Sequence, residues 1–272
     1  MRPIFFIGNK RSGTQRLVTL LCLHQEVFVS LESDIMWILY QARNGKPEHF
    51  ERYKWGESVG MKLTLNLCGE ILNELYNGQI TIQEAFYKVQ TWYMSNYREN
   101  NHYNWWSNDY KETQYIGDKK PVSCSDPIIN TFIEENFHNA RYIHLVRNPR
   151  GAVPSMMIAA QTWPAINAIT PFWTLDAQSI LERWTIHEEW ALDIERKNQE
   201  RVYRLRLCDL CAAPIETMRG LFDWLGLDIC NEMANTIKSW VDPNPNDKHK
   251  NFDLQLSDRA KRIMDIYGYD YA

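Results

Sequence analysis

A short apolar run near the start of the chain leads directly into a glycine-bearing loop and then into an amphipathic segment. Residues 3–7, Pro-Ile-Phe-Phe-Ile, show no polar alternation, which predicts a strand buried on both faces. Apolar residues then recur at helical spacing over residues 14–24, which predicts a helix. A strand, a loop and a helix in this order favour an α/β fold built on parallel strands.

The same alternation of strands and helices continues along the chain. Further strands are predicted at residues 27–31, 141–146 and 201–207. Helices are predicted at 35–42, 69–76, 82–97, 127–137, from Pro149 onward, at 177–197 and at 214–225. No repeat or linker divides the pattern. We therefore expect an α/β fold with a central parallel sheet flanked by helices, in a single domain over residues 1–272 with a mostly helical insertion around 33–118.

The charge of the chain is mildly acidic overall but unevenly distributed. Thirty Lys and Arg against 34 Asp and Glu give a formal charge of −4, which argues against a surface that wraps a nucleic-acid polymer. Residues 1–25 carry four basic side chains and no acidic one, and residues 136–175 carry three and none, so the other residues carry −11. Two local basic segments in an acidic protein suit one small dianion.

Several classes of protein are disfavoured by what the sequence lacks. No run approaches the ~18 apolar residues of a membrane span, and the first residues show no signal-peptide pattern, so we expect a cytoplasmic protein without a membrane partner. The six cysteines include one CxxC pair, Cys208-Asp-Leu-Cys211, but no second such pair and no partnering histidine spacing, which predicts reduced thiols and no metal site. The oligomeric state is left open.

The loop Gly8–Thr14 lies between the first predicted strand and helix, where backbone N–H groups and the helix dipole bind anions. Its glycine spacing equals that of an ATPase P-loop. However, Thr14 and Gln15 stand where that motif has Lys and a hydroxyl residue, and Lys10 and Arg11 precede the second glycine. A nucleotide triphosphatase is therefore disfavoured. Taken alone, the loop is also compatible with a simple turn bearing a surface Lys-Arg pair.

A second motif favours anion binding over a simple turn. Arg147 follows the predicted strand 141–146, and Ser155 lies eight residues later in the next helix. A guanidinium fork and a hydroxyl placed in this way suit a phosphate. Together with Arg11-Ser-Gly-Thr14, this pair resembles the sulfotransferase family that uses 3′-phosphoadenosine-5′-phosphosulfate (PAPS), which has a P-loop-like fold. The resemblance implies a donor site formed by Lys10, Arg11, Ser12, Gly13, Thr14, Gln15, Arg16, Arg147, Ser155, Arg206, Lys248 and Lys250, with adenosine 3′,5′-bisphosphate as product.

The resemblance also implies catalytic residues. Lys119, in Lys-Lys-Pro, stands where related enzymes face the transferring group. Glu32 lies 21 residues after Arg11, and a helix followed by a returning strand brings it back towards the loop. Sulfuryl transfer needs a base for the acceptor proton and cations for the leaving phosphate, so we assign Glu32 as the base, with Lys119 and Arg11 stabilising negative charge. The alternative is that Glu32 is an exposed charge before the next helix.

The acceptor is the least determined part of the hypothesis. The chain holds 11 tryptophans and 14 tyrosines, and core packing explains many of them. Trp105, Trp106, Trp163 and Trp173 are candidate acceptor-pocket residues, with acidic side chains nearby in sequence, and such a pocket suits a cation. We therefore expect a small-molecule acceptor, with a guanidinium natural product of the saxitoxin kind as one candidate. Carbohydrate or tyrosine sulfation, and nonenzymatic nucleotide binding, are the alternatives.

Overall fold

Five strands of the described residues form one sheet in a computed structural model that describes residues 1–45, 68–99, 113–162, 176–241 and 252–271. The strands are β1 (Arg2–Ile7), β2 (Val27–Leu31), β3 (Tyr115–Lys119), β4 (Arg141–Val146) and β5 (Val202–Arg206), in the order β2-β3-β1-β4-β5. Strand β3 pairs in parallel with both β1 and β2. The predicted α/β fold with a central parallel sheet is confirmed.

Eight of the twelve helices in the described residues correspond to predicted ones. The twelve helices are α1 (Thr14–Leu21), α2 (Ile35–Asn44), α3 (Gly69–Tyr76), α4 (Ile82–Glu99), α5 (Pro121–Ser125), α6 (Pro127–Asn136), α7 (Pro149–Thr162), α8 (Ala177–Lys197), α9 (Leu207–Ala212), α10 (Pro214–Leu225), α11 (Asn231–Trp240) and α12 (Asp258–Tyr267). Of these, α5, α9, α11 and α12 were not predicted. Helix α10 ends at Leu225 as predicted, and Gly226 follows it with φ 77°. Pro149 occupies the first position of α7, and Pro154 lies inside that helix.

The described residues divide into two compact units, Met1–Ile7 with Gln15–Tyr142 and Gly8–Thr14 with Ile143–Ala272. In the first unit the aromatic ring of Phe5 on β1 lies 5.7 Å from Phe86 on α4 and 5.8 Å from Phe137, which follows α6. All three side chains are buried. Aromatic side chains thus pack α4 and the end of α6 against β1, the strand that precedes the predicted anion-binding loop.

One strand of the first unit differs from prediction. Residues 115–118 were expected to lie in the mostly helical insertion, but Tyr115–Lys119 form β3, all of whose residues are buried. Gly117 and Asp118 interrupt the apolar pattern that marks a strand, so local periodicity misses it. The helical expectation holds for α2, α3 and α4, and the prediction of a single domain over residues 1–272 stays a prediction.

The second unit has a core in which α7, α8 and α12 pack together through Val153, Trp184 and Met264. Asp176 caps α8 by accepting a hydrogen bond from the backbone N–H of Ser179 at 2.7 Å. This long helix runs to Lys197 as predicted. Its buried residues include Glu188, which is a charged side chain inside the core and reappears below.

The six cysteines are all free thiols, as predicted. Four of them are buried, Cys208 is partly buried and Cys230 is exposed. No helix of the described segments is both long and apolar enough to span a membrane.

Candidate active site

The loop Gly8–Thr14 belongs to the second unit and depends on both of its glycines. Gly8 has φ 99° and Gly13 has φ 92°, values that side chains with a Cβ rarely adopt. A Cβ on Gly8 would lie 2.8 Å from the His144 ring, and one on Gly13 would lie 2.9 Å from Leu207 Cδ1. The loop is therefore closely packed on the residues beneath it, which fixes its path.

The structure brings the two predicted phosphate motifs together. Arg147 Nη1 donates a hydrogen bond to the carbonyl oxygen of Arg11 at 2.8 Å. Arg11 Nε donates to Ser155 Oγ at 3.4 Å. Burial and the neighbouring positive charge of Arg11 lower the pKa of Arg147 to about 10. Two guanidinium groups and a hydroxyl therefore lie close together.

Ser12 supplies a further polar group in the same loop. Its side chain is fully buried, and its Oγ atom has no hydrogen-bond partner among the described residues. Buried hydroxyls in proteins are nearly always hydrogen-bonded, so an unpartnered one in a glycine-bearing loop fits an anion bound there. The loop thus has both the positive charge and the hydrogen-bond donors that an anion needs.

Glu32 lies in the first unit, directly after β2, and its carboxylate contacts two lysines. Lys119 Nζ donates to Glu32 Oε1, and Lys120 Nζ lies 3.2 Å from Glu32 Oε2. The side chains of both lysines are buried, while that of Glu32 is 43% exposed. The structure therefore pairs the predicted base with the predicted catalytic lysine and leaves the carboxylate accessible to solvent.

A buried polar cluster lies around this carboxylate. Lys120 Nζ lies 2.9 Å from Asp34 Oδ2, and the Asp34 side chain is fully buried. Asp118 on β3 accepts hydrogen bonds from Ser30 Oγ and from the Ser33 backbone N–H, both at 3.2 Å. Burial, and then the nearby Asp34 charge, raise the pKa of Asp118 to about 7. Lys120 was not among the predicted site residues, although it adjoins Lys119.

Backbone strain coincides with the predicted catalytic positions. Among the described residues, the non-glycine residues with positive φ are Arg11 at 61°, Glu32 at 56° and Asp34 at 55°. Such conformations cost about 1–3 kcal/mol each and cluster at functional sites. Two of the three residues were assigned a role from sequence, and the third holds Lys120.

Comparison with known proteins places the chain in a family, because the model of the sulfotransferase family matches residues 3–231. The chain belongs to the sulfotransferase family. Curated relatives include the omega-hydroxy-beta-dihydromenaquinone-9 sulfotransferases of Mycobacterium bovis and Mycobacterium tuberculosis, each 25% identical over 167 residues. The match covers 57% of this chain and 43% of each relative, so it spans less than half the length of these relatives.

Solved sulfotransferase structures share the fold. The sulfotransferase domain from the curacin biosynthetic pathway has a TM-score of 0.63 at 20% identity and covers 99% of both chains. The sulfotransferase domain from the Synechococcus PCC 7002 olefin synthase has a TM-score of 0.60 at 22% identity. The match covers 100% of this chain and 96% of that domain. At these identities the similarity shows the fold alone.

The other residues that the sequence predicts to bind PAPS differ in their burial and in their contacts. Thr14 is buried, Lys10 is partly buried, and Gln15 and Arg16 are exposed on the first turn of α1. Arg206 is engaged elsewhere: its Nε and Nη2 each lie 2.7 Å from an Asp209 carboxylate oxygen, and its Nη1 donates to the carbonyl oxygens of Tyr267 and Gly268. Its role as a donor ligand stays a prediction.

Six predicted site residues lie outside the described residues, namely Lys248, Lys250, Trp105, Trp106, Trp163 and Trp173. Sequence reasoning also missed Asn9, the buried residue between Gly8 and Lys10. Its partners lie more than 170 positions away along the chain, so no local signal in the sequence points to it.

Proposed function

We propose that this protein transfers the sulfuryl group of PAPS to a hydroxyl or nitrogen atom of a small molecule and releases adenosine 3′,5′-bisphosphate. The observation that carries the proposal is the meeting of Arg11, Arg147 and Ser155 beside the buried hydroxyl of Ser12. Charged donors of this kind form the strong, short hydrogen bonds that phosphate oxygens favour. Membership of the sulfotransferase family supports the sulfuryl transfer in this proposal.

Donor binding in the second unit is assigned residue by residue. The loop Gly8–Thr14 holds the 5′-phosphosulfate through its backbone N–H groups, Ser12 and the helix that begins at Thr14. Arg147 and Ser155 hold the 3′-phosphate. The pKa of Arg147 is lowered by burial and by Arg11, so a bound dianion relieves a repulsion that is present in the free protein.

The chemical step needs one proton acceptor and cations for the leaving phosphate. The acceptor oxygen or nitrogen forms a bond to sulfur while the bond from sulfur to the 5′-phosphate oxygen breaks. The acceptor proton passes to Glu32, and Lys119 and Arg11 stabilise the charge left on the bisphosphate. Contact with Lys119 and Lys120 orients the Glu32 carboxylate in the free protein.

The acceptor we propose is a small cation-bearing molecule, such as a guanidinium natural product of the saxitoxin kind, modified in the cytoplasm without a nucleic-acid or membrane partner. Support comes from sequence alone, in the tryptophans and acidic residues of 92–112 and 163–190. The curated relatives are named for a hydroxylated menaquinone. An acceptor panel should therefore include guanidinium compounds, a hydroxylated quinone lipid, a sugar and a tyrosine peptide.

Titration with adenosine 3′,5′-bisphosphate tests the donor assignment. At a hundredfold excess over its Kd the ligand should stabilise the protein by about 2.7 kcal/mol. Arg147→Ala should raise Kd about tenfold to a hundredfold, because a hydrogen bond to a charged group contributes roughly 1.5–3 kcal/mol. Arg150→Ala is the matched control, since Arg150 Nε instead binds the carbonyl oxygen of Tyr271.

The result expected for Arg150→Ala is an unchanged Kd. Equal losses in both variants, or no binding by the parent protein, would contradict the donor assignment. Transfer from radiolabelled PAPS to the acceptor panel then tests the activity, with Glu32→Gln expected to abolish transfer while retaining bisphosphate binding. Transfer that survives Glu32→Gln assigns the base elsewhere.

A further inference from the structure

A buried ionic network lies beneath the donor loop in the second unit. His144 on β4 is fully buried, with its Nε2 atom 2.9 Å from Glu188 Oε2 and its Nδ1 atom 2.7 Å from Glu195 Oε1. An imidazole with a carboxylate on each nitrogen donates from both when it is protonated. Tyr267 donates its hydroxyl hydrogen to Glu188 Oε2 at 2.8 Å. One oxygen of Glu188 is thereby fixed from two sides.

The other oxygen of Glu188 binds the donor loop. Asn9 Nδ2 donates to Glu188 Oε1 at 2.7 Å and to the carbonyl oxygen of Trp184 at 2.9 Å. Asn9 Oδ1 lies 3.1 Å from His187 Nδ1. The amide of a loop residue is therefore held on both sides by helix α8. Asn9 is only 4% exposed, so water does not replace these bonds readily.

Stability alone does not explain such a network. A buried ion pair is often no more stabilising than apolar side chains of the same volume, whereas its directional bonds specify one geometry. We propose that Glu188 is a positioning residue for donor binding, holding Asn9 and with it the loop that carries Ser12. The inference rests on the proposed function, because the loop matters only if it binds the donor. The role assigned to Glu188 is indirect, because it acts through Asn9.

Binding of adenosine 3′,5′-bisphosphate to the full chain, measured by calorimetry, tests the inference. Asn9→Ala and Glu188→Gln should each raise Kd at least tenfold. The Kd of the double variant should be no higher than that of the weaker-binding single variant, because both substitutions act through one contact. Thr185→Val is the matched control. It removes a buried hydrogen bond of the same helix, from Thr185 Oγ1 to the carbonyl oxygen of Leu181, without touching the loop.

The control should lower the melting temperature but leave Kd within twofold of the parent value. An unchanged Kd in Asn9→Ala, additive losses in the double variant, or an equal loss in Thr185→Val would each overturn the inference while the proposed function stands. If Glu188→Gln does not fold, Asn9→Ala decides alone. A parent protein that binds no bisphosphate would overturn the proposed function and this inference together.

Discussion

Lys120 carries a positive charge between two carboxylates, and almost none of its side chain is exposed. Burial lowers its pKa, but Asp34 and then Glu32 raise it by more, so the net shift is upward. Lys120→Met would remove the cation that lies 2.9 Å from the buried Asp34 carboxylate. We expect it to lower the free energy of unfolding by about 3 kcal/mol, measured by urea denaturation.

Lys119→Met is the matched control for that prediction. Lys119 is paired with Glu32, whose side chain is 43% exposed, so solvent can replace the lost contact and the loss should stay below about 1 kcal/mol. Adding Asp34→Asn to Lys120→Met should recover part of the loss, because it removes the buried charge that Lys120 balances and asparagine tolerates positive φ. Equal losses in the two lysine variants would show that the Lys120–Asp34 pair contributes no special stability.

Some residues of the candidate site can be identified from the sequence and others cannot. Arg11, Arg147 and Ser155 are predictable because each belongs to a motif with local spacing and a defined place after a strand. Asn9 and Glu188 are not, since their contact joins positions 179 apart in the sequence. The sequence shows that Glu188 interrupts the apolar face of α8, but it does not indicate which residue pairs with this carboxylate.

At the level of elements, the pairing of β1 with β3 depends on Gly117. A Cβ at this position would lie 2.0 Å from the carbonyl oxygen of Ile4, its partner in the sheet register. Because the obstacle is backbone rather than a flexible side chain, relief requires the strands to separate. Gly117→Ala should therefore lower the free energy of unfolding by about 3 kcal/mol or more, as measured by urea denaturation.

Gly69→Ala provides the comparison. No atom lies within 4 Å of a Cβ built on Gly69, which is the first residue of α3. Alanine favours a helix over glycine, so this substitution should leave stability unchanged or raise it by up to about 1 kcal/mol. Similar losses in both variants would mean that the close approach of β1 and β3 does not limit stability.

The elements that sequence predicts well are those with a simple apolar pattern. Strands β1, β2 and β4 and helices α3, α8 and α10 appear at or within one residue of their predicted bounds. Strand β3 was missed because two of its residues, Gly117 and Asp118, are not typical of a strand. The backbone of Ile4 approaches Gly117 too closely for a side chain, and Asp118 accepts a hydrogen bond from the hydroxyl of Ser30. Both features come from tertiary contacts, which local periodicity does not record.

For the molecule as a whole, the His144 imidazole links stability to pH, because it holds a proton in the folded state between about pH 6.5 and 9 that it loses in the unfolded chain. Burial lowers the pKa of His144, but Glu188 and then Glu195 outweigh it and raise the pKa to about 9, against about 6.5 in the unfolded chain. The stabilisation is therefore complete below pH 6.5 and is lost as pH rises towards 9. The free energy of unfolding should fall over this window, by at most about 1.4 kcal/mol per pH unit for one proton.

Glu188→Gln separates this effect from other titrations in the same range. The variant keeps hydrogen-bonding atoms at position 188 but removes the largest charge that favours protonated His144, so its stability should depend less steeply on pH between 6.5 and 9. Thiols of the unfolded chain titrate near pH 8.5 in both proteins and cancel in the comparison. Denaturant unfolding at several pH values measures both slopes. A parent slope that is zero or positive, or one that Glu188→Gln leaves unchanged, would mean that the buried imidazole does not carry the extra proton.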